Sequence, residues 1–366
     1  MPPKPKSSDR TRSRCSGCRS PRRTSTVCQP QFVYVAAAAG CGGLDPALNR
    51  LVPFFCYAFS RIGTTRRDYT EMARRIDAVT GGLGLGANPH TGFDGAGACI
   101  PFVALTSKSL VRNLAPMFEL LSELTWSYDV SDTVRLKNLL LEYRSGLEAM
   151  VVHNGHRVAL SLASRRFSTA RALSEAWSGV HQLQTIKALA DGPTEADLGR
   201  LAADMGRLGG RVLNRSNFQV AVIGEPEAVG HAAARVEELV NGLPAGPAAD
   251  FVAPEAVLPP GPLREGWSTS SAVNFVAAAF SAVRMEHEDA AALAVIAKLL
   301  RSLYLHREIR EKGGAYGGFA LYNPEDGTFG LASYRDPRIV ETLEVFQGAA
   351  GFICGGAFTD NDVKEA

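Results

Sequence analysis

The stretch IREKGGAYGGFALYNPEDGTFGLASYRDP, residues 309–337, decides how the C-terminal part of this chain folds. A basic and acidic cluster runs into adjacent glycines, which predicts a helix that ends at Lys312 with Gly313 as its C-cap. Two strand-like segments follow, at 315–322 and 328–334, and predict a β-hairpin. The chain is therefore expected to pass from a helix directly into two paired strands.

The same stretch holds candidate binding residues. Gly313 and Gly314 are adjacent, and adjacent glycines let another backbone approach closely, so an extended peptide could pair with a strand edge there. Arg310 and Tyr316 lie six residues apart, and both side chains could donate hydrogen bonds to one polarised carbonyl oxygen. Because capped helix-to-strand junctions are common, a purely structural role stays open at this point.

Hydrophobic patterns upstream predict an α+β unit, with antiparallel strands and helices packed on one face. Its long helix starts at Asp132 and carries apolar residues at helical spacing as far as Val151. The other elements predicted for this unit are strands at 31–40, 82–93, 95–107 and 217–224 and helices at 46–62, 68–80, 110–128 and 227–241.

A linker and a second unit that begins with a strand are predicted after this. Residues 242–266 contain six prolines and few periodic positions, which is typical of a linker. The second unit is predicted to contain a strand at 272–283, a helix at 289–310, the hairpin and a helix at 338–350. Thr359 looks like the cap of one further helix, so the second unit is expected to be incomplete.

Composition excludes several classes of protein. Of 366 residues, 46% are hydrophobic and 21% are charged, which is ordinary for a soluble globular protein. The positive charge is concentrated in residues 1–23, so the rest of the chain is mildly acidic and no nucleic-acid partner is predicted. No uncharged run approaches the ~20 apolar residues of a membrane span.

The first 30 residues are predicted to be a disordered basic tail. Their Arg- and Ser-rich composition suits an organellar transit segment, and translated non-coding sequence is the alternative. A secretory signal ending in FVYVAAAAGC is a further alternative, but a first core strand is favoured because a helix follows at once. The seven cysteines are irregularly spaced, which indicates reduced thiols and an intracellular location. Cys15 and Cys18 have no second ligand pair at zinc-finger spacing.

The other candidate cofactor-binding and metal-binding motifs in the sequence match their patterns poorly. The glycine-rich run at 82–87 precedes a strand rather than opening a helix, so it does not fit a dinucleotide-binding loop. None of the seven histidines has metal-ligand spacing with a carboxylate between, which argues against a local zinc site. His153 and His156 flank Gly155 within a long helical region and favour a bend or a polar contact there.

Three blocks of sequence resemble one family. REKGGAYGG followed by FGLASYRDP resembles the C-terminal half of the pitrilysin or insulinase-like zinc metallopeptidases, in their presequence-protease branch. LLLEYRSGLEAMVVHNGHRVALSLASRRFS, residues 139–168, is similar to the long helix of that branch's third domain. GLDPALNRLVPFFCYAFSRIGT, residues 43–64, is similar to the first helix of the same domain. The likeness covers roughly residues 31–366.

The resemblance implies two pitrilysin-type α+β domains. Residues 31–241 would match the third domain with its helical region, and 267–366 an incomplete fourth domain after the linker at 242–266. The family's zinc motif belongs to the first domain, so the resemblance implies Zn²⁺ bound by an N-terminal half and none bound by this chain. In the third-domain copy of this chain, the positions that correspond to the zinc motif fall near Phe54, Tyr57 and Ala58. These side chains cannot bind zinc. Glu142 would correspond to the distant glutamate that binds zinc in the family, but this chain has no histidines at the positions of the motif.

The resemblance also implies a function and a site. Arg310 and Tyr316 match a pair that contacts the substrate carbonyl and helps to hold the oxyanion in the family, with Gly313 and Gly314 as substrate-binding residues. The expected partners are an unstructured peptide and a zinc-bearing N-terminal half, in cis or in trans. A mitochondrial or plastid location is consistent with the tail. The alternatives are a non-catalytic peptide-binding or scaffolding homologue and an inert fragment, so whether the chain is part of an active enzyme stays open. Because HxxEH is absent from this chain, the chain alone is expected to be inactive.

Overall fold

The computed structural model of the protein describes residues 32–93, 97–247, 250–253, 258 and 261–366. The basic segment 1–30, with its Cys15 and Cys18 pair, and the predicted strand junction at Asp94 and Gly95 lie outside the described residues, as does part of the predicted linker.

Nine strands and eleven α-helices follow one another along the part of the chain that the structure describes. The strands are β1 (Phe32–Gly40), β2 (Gly63–Thr64), β3 (Leu83–Thr91), β4 (Cys99–Leu110), β5 (Tyr128–Asp129), β6 (Phe218–Ile223), β7 (Ala277–Ser281), β8 (Gly317–Asn323) and β9 (Thr328–Tyr334). The helices are α1 (Pro46–Phe59), α2 (Tyr69–Val79), α3 (Leu114–Ser127), α4 (Thr133–Ser164), α5 (Thr169–Ser178), α6 (Val180–Ala190), α7 (Glu195–Val212), α8 (Pro226–Gly242), α9 (Ala290–Leu299), α10 (Val340–Cys354) and α11 (Asp360–Glu365). A short 3₁₀ turn precedes α3, and α9 continues as a π-helix over Leu300–Lys312.

The chain forms two compact units, and neither is continuous in sequence. Unit 1 comprises the residues up to Asn88, Phe102–Leu139 and Pro193–Phe251. Unit 2 comprises Pro89–Pro101, Leu140–Gly192 and Val252–Ala366. The domain bounds drawn from the sequence, with a linker at 242–266, stay predictions.

Unit 1 is built on a four-stranded sheet in the order β3-β4-β1-β6, in which β1 is antiparallel to both neighbours. The alternation along β1 decides which face is buried, because successive side chains of a strand point to opposite faces. Val33 and Val35 are at most 2% exposed, whereas Phe32 and Tyr34 are 41% and 39% exposed. Helices α1 and α3 supply the largest buried side chains of this unit, among them Phe54, Phe55, Phe59, Met117 and Phe118. The α+β class predicted from the sequence is confirmed.

Unit 2 contains a three-stranded antiparallel sheet in the order β7-β9-β8. Its core joins this sheet to the helices α9 and α10 and to the π-helix. The buried residues of this cluster include Val276, Leu300, Leu305, Ile309, Leu331 and Phe346. The hairpin strands β8 and β9 lie within two residues of their predicted positions.

The bend expected in the long helix is present in unit 2. Asn154 leaves the helical region inside α4, with φ −125° and ψ 29°. The next residue, Gly155, lies against the ring of Phe275, and a Cβ at this position would come within 2.2 Å of that ring. His156 then stacks on Phe319 with ring centroids 5.1 Å apart. The predicted bend is therefore present, and His156 packs against the sheet beside it.

A buried carboxylate caps α6 in unit 2. Glu175 is 1% exposed, and its Oε1 accepts hydrogen bonds from the backbone N–H of Val180 at 2.7 Å and from that of His181 at 3.4 Å. These are amides of the first turn of α6, which have no partner within the helix.

We expect Glu175→Ala to lower the free energy of unfolding by about 1–3 kcal/mol, because it leaves those amides without their acceptor. Chemical denaturation followed by circular dichroism measures this change. Glu286→Ala, at an exposed position of the same unit, is the matched control and should stay within about 0.5 kcal/mol of the parent. Equal losses in the two variants would contradict the capping role.

No helix among the described residues is long and apolar enough to cross a membrane.

Candidate functional site

Arg310 lies in the last turn of the π-helix, where the sequence predicted an ordinary helix. π-helical hydrogen bonding is rare and is frequently found at functional sites. Arg310 is exposed, and its Nη1 lies 3.3 Å from Nε2 of His306. The other ring nitrogen of His306, Nδ1, lies 3.2 Å from Oε1 of Glu311. Since a guanidinium can only donate, the contact with Arg310 is a hydrogen bond in the His306 tautomer whose Nε2 accepts.

Gly313 and Gly314 end the helix and turn the chain toward β8. Gly313 is the C-cap, and a Cβ there would come within 2.5 Å of the carbonyl oxygen of Ile309. Gly314 has φ +80°, a left-handed conformation that favours glycine. Its N–H donates to the Arg310 carbonyl at 3.1 Å. Both glycines thus shape the junction, and their predicted part in binding substrate stays a prediction.

Tyr316 follows immediately and projects into solvent with 70% of its surface exposed. Its backbone N–H donates to the carbonyl of Tyr334 at 3.0 Å, and its ring meets the Tyr334 ring edge-on at 6.3 Å. The guanidinium of Arg335 lies 6.0 Å from the centre of the Tyr316 ring. These contacts hold the ring, and the Tyr316 hydroxyl forms no hydrogen bond within the described part of the chain.

Arg310 and Tyr316 line one cleft of about 550 Å³ in unit 2. One wall is α9 with the π-helix, and the other residues come from the start of β8 and from α11. Strand β8 is at the edge of its sheet, so one side of its backbone is not paired within that sheet. An edge strand can accept an extended peptide as an additional strand. The cleft therefore offers two side-chain donors beside a strand edge.

The sequence did not point to several residues of this cleft. Lys298, Arg301, His306 and Phe319 also line it, and its glycines are Gly317 and Gly318. One sequence signal could have indicated the π-helix. The buried residues Leu300, Leu305 and Ile309 are separated by five and then by four residues. That spacing is wider than the 3.6-residue period of an α-helix, and it turns a different set of polar side chains toward the cleft.

The described residues do not fit a zinc site. Within residues 32–93, 97–247, 250–253, 258 and 261–366, no group of three or more His, Cys, Asp or Glu side chains is arranged to hold a metal ion. In α1, at the slots that the resemblance assigns to the zinc motif, Phe54 and Ala58 are fully buried in the apolar core and Tyr57 is half-buried. Glu142 is exposed on α4.

Two family models match most of the chain. The model for the region associated with subfamily C of the M16 peptidases matches residues 26–189, and the model for the "PreP C-terminal domain" matches residues 265–366.

Curated relatives align along almost all of this chain. A protein named "Presequence protease, mitochondrial" from Danio rerio is 30% identical over 357 residues, which covers 92% of this chain and 34% of the relative. A protein of the same name from Mus musculus is 27% identical over 366 residues, with 92% and 35% covered. The chain thus spans about a third of the length of these relatives.

Solved structures share the fold. A peptidase M16 inactive domain from Pseudomonas fluorescens superposes with a TM-score of 0.63 at 17% identity, covering 94% of this chain and 79% of that one. A conserved protein from Enterococcus faecalis superposes with a TM-score of 0.66 at 13% identity, and the match covers 93% of this chain and 80% of that one. These structures show the fold. The two family models and the curated relatives show that the chain belongs to the peptidase M16 family and is a C-terminal, presequence-protease-like region of it.

Proposed function

We propose that this chain is the C-terminal half of a presequence protease-like zinc metalloendopeptidase that degrades unstructured peptides. It would supply substrate contacts, and the zinc would be bound by an N-terminal half present in cis or in trans. The observation that carries this proposal is the position of Arg310 and Tyr316 in one cleft beside the edge strand β8. No zinc chemistry is assigned to the residues of this chain.

In this proposal Arg310 and Tyr316 act as hydrogen-bond donors to the carbonyl oxygen of the peptide. Donors held ready where negative charge develops stabilise the transition state without reorganisation. The contact from His306 restrains Arg310, and the ring of Tyr316 is held against Tyr334. Gly313 and Gly314 would let the peptide backbone approach the junction. Residues 31–241 would correspond to the third domain of the family and 267–366 to the fourth.

We further propose a mitochondrial location. The curated relatives from Danio rerio, Xenopus tropicalis and Gibberella zeae are all named as mitochondrial proteins. Fusion of residues 1–30 to a fluorescent protein measures whether this segment directs import, and a diffuse cytosolic signal would count against an import role for it.

A peptide-cleavage assay with added zinc tests the proposed function. We expect neither this chain alone nor an N-terminal half of the relatives alone to cleave an unstructured peptide, and we expect the mixture to cleave it. Cleavage by this chain alone would overturn the assignment of zinc to another half. If the two halves assemble into a complex and the complex still does not cleave the peptide, the proposed catalytic role is wrong.

The alternative is a non-catalytic homologue that binds or scaffolds peptides. Its supporting observation is the likeness to the peptidase M16 inactive domain from Pseudomonas fluorescens. Peptide affinity without turnover in the assembled mixture would favour this alternative, and the absence of both assembly and peptide binding would favour an inert fragment.

His306 is expected to act as a positioning residue through its contact with Arg310. We expect His306→Ala to reduce kcat of the assembled mixture by about three- to tenfold with KM little changed, because the loss of one exposed hydrogen bond costs on the order of 1 kcal/mol. His306→Gln keeps an acceptor oxygen and should restore most of the rate. If the Ala and Gln variants were equally slow, or both unchanged, the contact would have no such role.

A further inference from the structure

Three cations line the cleft without a carboxylate partner. Lys298, Arg301 and Arg310 all lie on the wall made by α9 and the π-helix. Within the part of the chain that the structure describes, none of them forms an ion pair. The neighbouring Arg307 and Lys312 differ, because each lies within 3 Å of a Glu308 carboxylate oxygen.

The ion pairs of Glu308 lower the pKa of its carboxyl group. Hydrogen bonds from Lys312 and from Arg307 hold the pKa of Glu308 below its ordinary value. Glu308 thus gives both of these cations a carboxylate partner, and neither cation lines the cleft. Lys298, Arg301 and Arg310 line the cleft and have no such partner among the described residues.

Arg301 is held at the edge of the sheet by an aromatic ring. Its guanidinium carbon lies 5.3 Å from the centre of the Phe319 ring, a cation–π contact that restricts its position. Phe319 belongs to the edge strand β8. A guanidinium so placed can present its planar fork to a carboxylate and donate two parallel hydrogen bonds.

Two acidic side chains of α11, Asp362 and Glu365, also line the cleft, and both accept hydrogen bonds within that segment. Asp362 accepts from the backbone N–H and from the hydroxyl of Thr359, both at 2.7 Å. Glu365 accepts from the side-chain amide of Asn361 at 2.8 Å. Among the described residues neither carboxylate forms an ion pair with Lys298, Arg301 or Arg310, so a ligand on the α9 side meets cations that have no carboxylate partner.

The spacing of the cations predicts where an acidic side chain would lie. Arg301 and Arg310 are nine residues apart, which is at most about 14 Å along a helix at about 1.5 Å per residue. An extended peptide advances about 3.3 Å per residue, so the same distance spans about four of its residues.

We propose that Lys298 and Arg301 form a subsite for an acidic side chain of an extended peptide that lies along the edge of β8. The acidic residue sits about four positions from the carbonyl that faces Arg310. This inference rests on the proposed function and names the substrate class of the same cleft: unstructured peptides with a Glu or Asp residue on one side of the cleaved bond.

Fluorescence anisotropy with three labelled peptides tests the subsite. The peptides share an unstructured neutral sequence and differ only in carrying two Glu, two Gln or two Lys residues. We expect the Glu peptide to bind the full chain about tenfold more tightly than the Gln peptide, and the Lys peptide to bind most weakly. The preference should shrink as salt is raised, because these charges are exposed.

Variants identify the residues responsible. In the double variant Lys298→Gln/Arg301→Gln the Glu preference should fall below about twofold, because the charges that read the acidic residue are gone. Arg307→Gln removes an equally exposed cation outside the cleft and should keep the preference. Equal binding of the Glu and Gln peptides, no binding of any peptide, or a preference that survives in the double variant would each overturn the subsite.

This outcome is separable from that of the proposed function. Cleavage of the neutral peptide by the assembled mixture tests the function without any acidic residue. If that peptide is cleaved and no Glu preference exists, the function stands and the subsite is wrong. If the Glu preference is lost in the double variant but the mixture cleaves nothing, the cleft binds acidic peptides and the catalytic role is wrong.

Discussion

Arg310→Ala and Tyr316→Phe are each expected to lower the cleavage rate of the assembled two-half enzyme by about a hundredfold or more. Removal of one preorganised donor to a developing oxyanion has an effect of about that size. Both residues line the cleft, and the Tyr316 hydroxyl forms no hydrogen bond within the described part of the chain, so it is available to substrate. Tyr316→Phe is the stricter test because it removes only the hydroxyl.

The matched control for this prediction is Arg307→Ala. Arg307 is an exposed cation on the same π-helix, it pairs with Glu308 at 2.8 Å, and it does not line the cleft. An exposed ion pair contributes roughly 0–1 kcal/mol, so the cleavage rate should change by less than about threefold. A loss in the control as large as that in Arg310→Ala would mean that helix disruption explains both.

Asp336→Ala is expected to destabilise unit 2 by about 2–4 kcal/mol. Asp336 is 1% exposed, and its two carboxylate oxygens accept from the backbone N–H of Arg338 at 2.9 Å and from the hydroxyl of Thr342 at 2.7 Å. The variant leaves both donors without a partner near the start of α10, and a buried donor without an acceptor costs about 1–3 kcal/mol. Chemical denaturation measures the change.

Two further variants sharpen this stability prediction. Asp336→Asn keeps one acceptor oxygen and should recover part of the loss. Glu344→Ala changes an exposed carboxylate on the same helix and should stay within about 0.5 kcal/mol of the parent. If Asp336→Ala behaved like Glu344→Ala, the carboxylate would not hold β9 and α10 together.

The sequence predicted the hairpin well because its signals are local. Gly314 adopts φ +80° at the junction that the adjacent glycines marked, and the strand-like segments predicted at 315–322 and 328–334 form the two strands of the hairpin. The bend at Asn154 followed from histidines and a glycine inside a long apolar pattern. Each of these features depends on residues that are close in sequence, where propensity and pattern are informative.

The parts that sequence reasoning missed depend on geometry between elements. His306 lies 3.3 Å from Arg310, and that both side chains line one cleft is visible only once β8 and α11 are placed beside the π-helix. In the sequence, Lys298 and Arg301 look like ordinary charged residues on a helix surface. They line a cleft only because β8 and α11 pack nearby in the folded chain.

The measurement that tests the central claim most directly is a titration of the N-terminal half with this chain, followed by the rate of peptide cleavage. Parent and Arg310→Ala chains are compared over the same concentrations. We predict half-maximal activity at the same chain concentration and a plateau about a hundredfold lower for the variant, because assembly is intact and a donor is missing. Equal plateaus for the two chains would contradict the claim that this cleft supplies catalytic contacts.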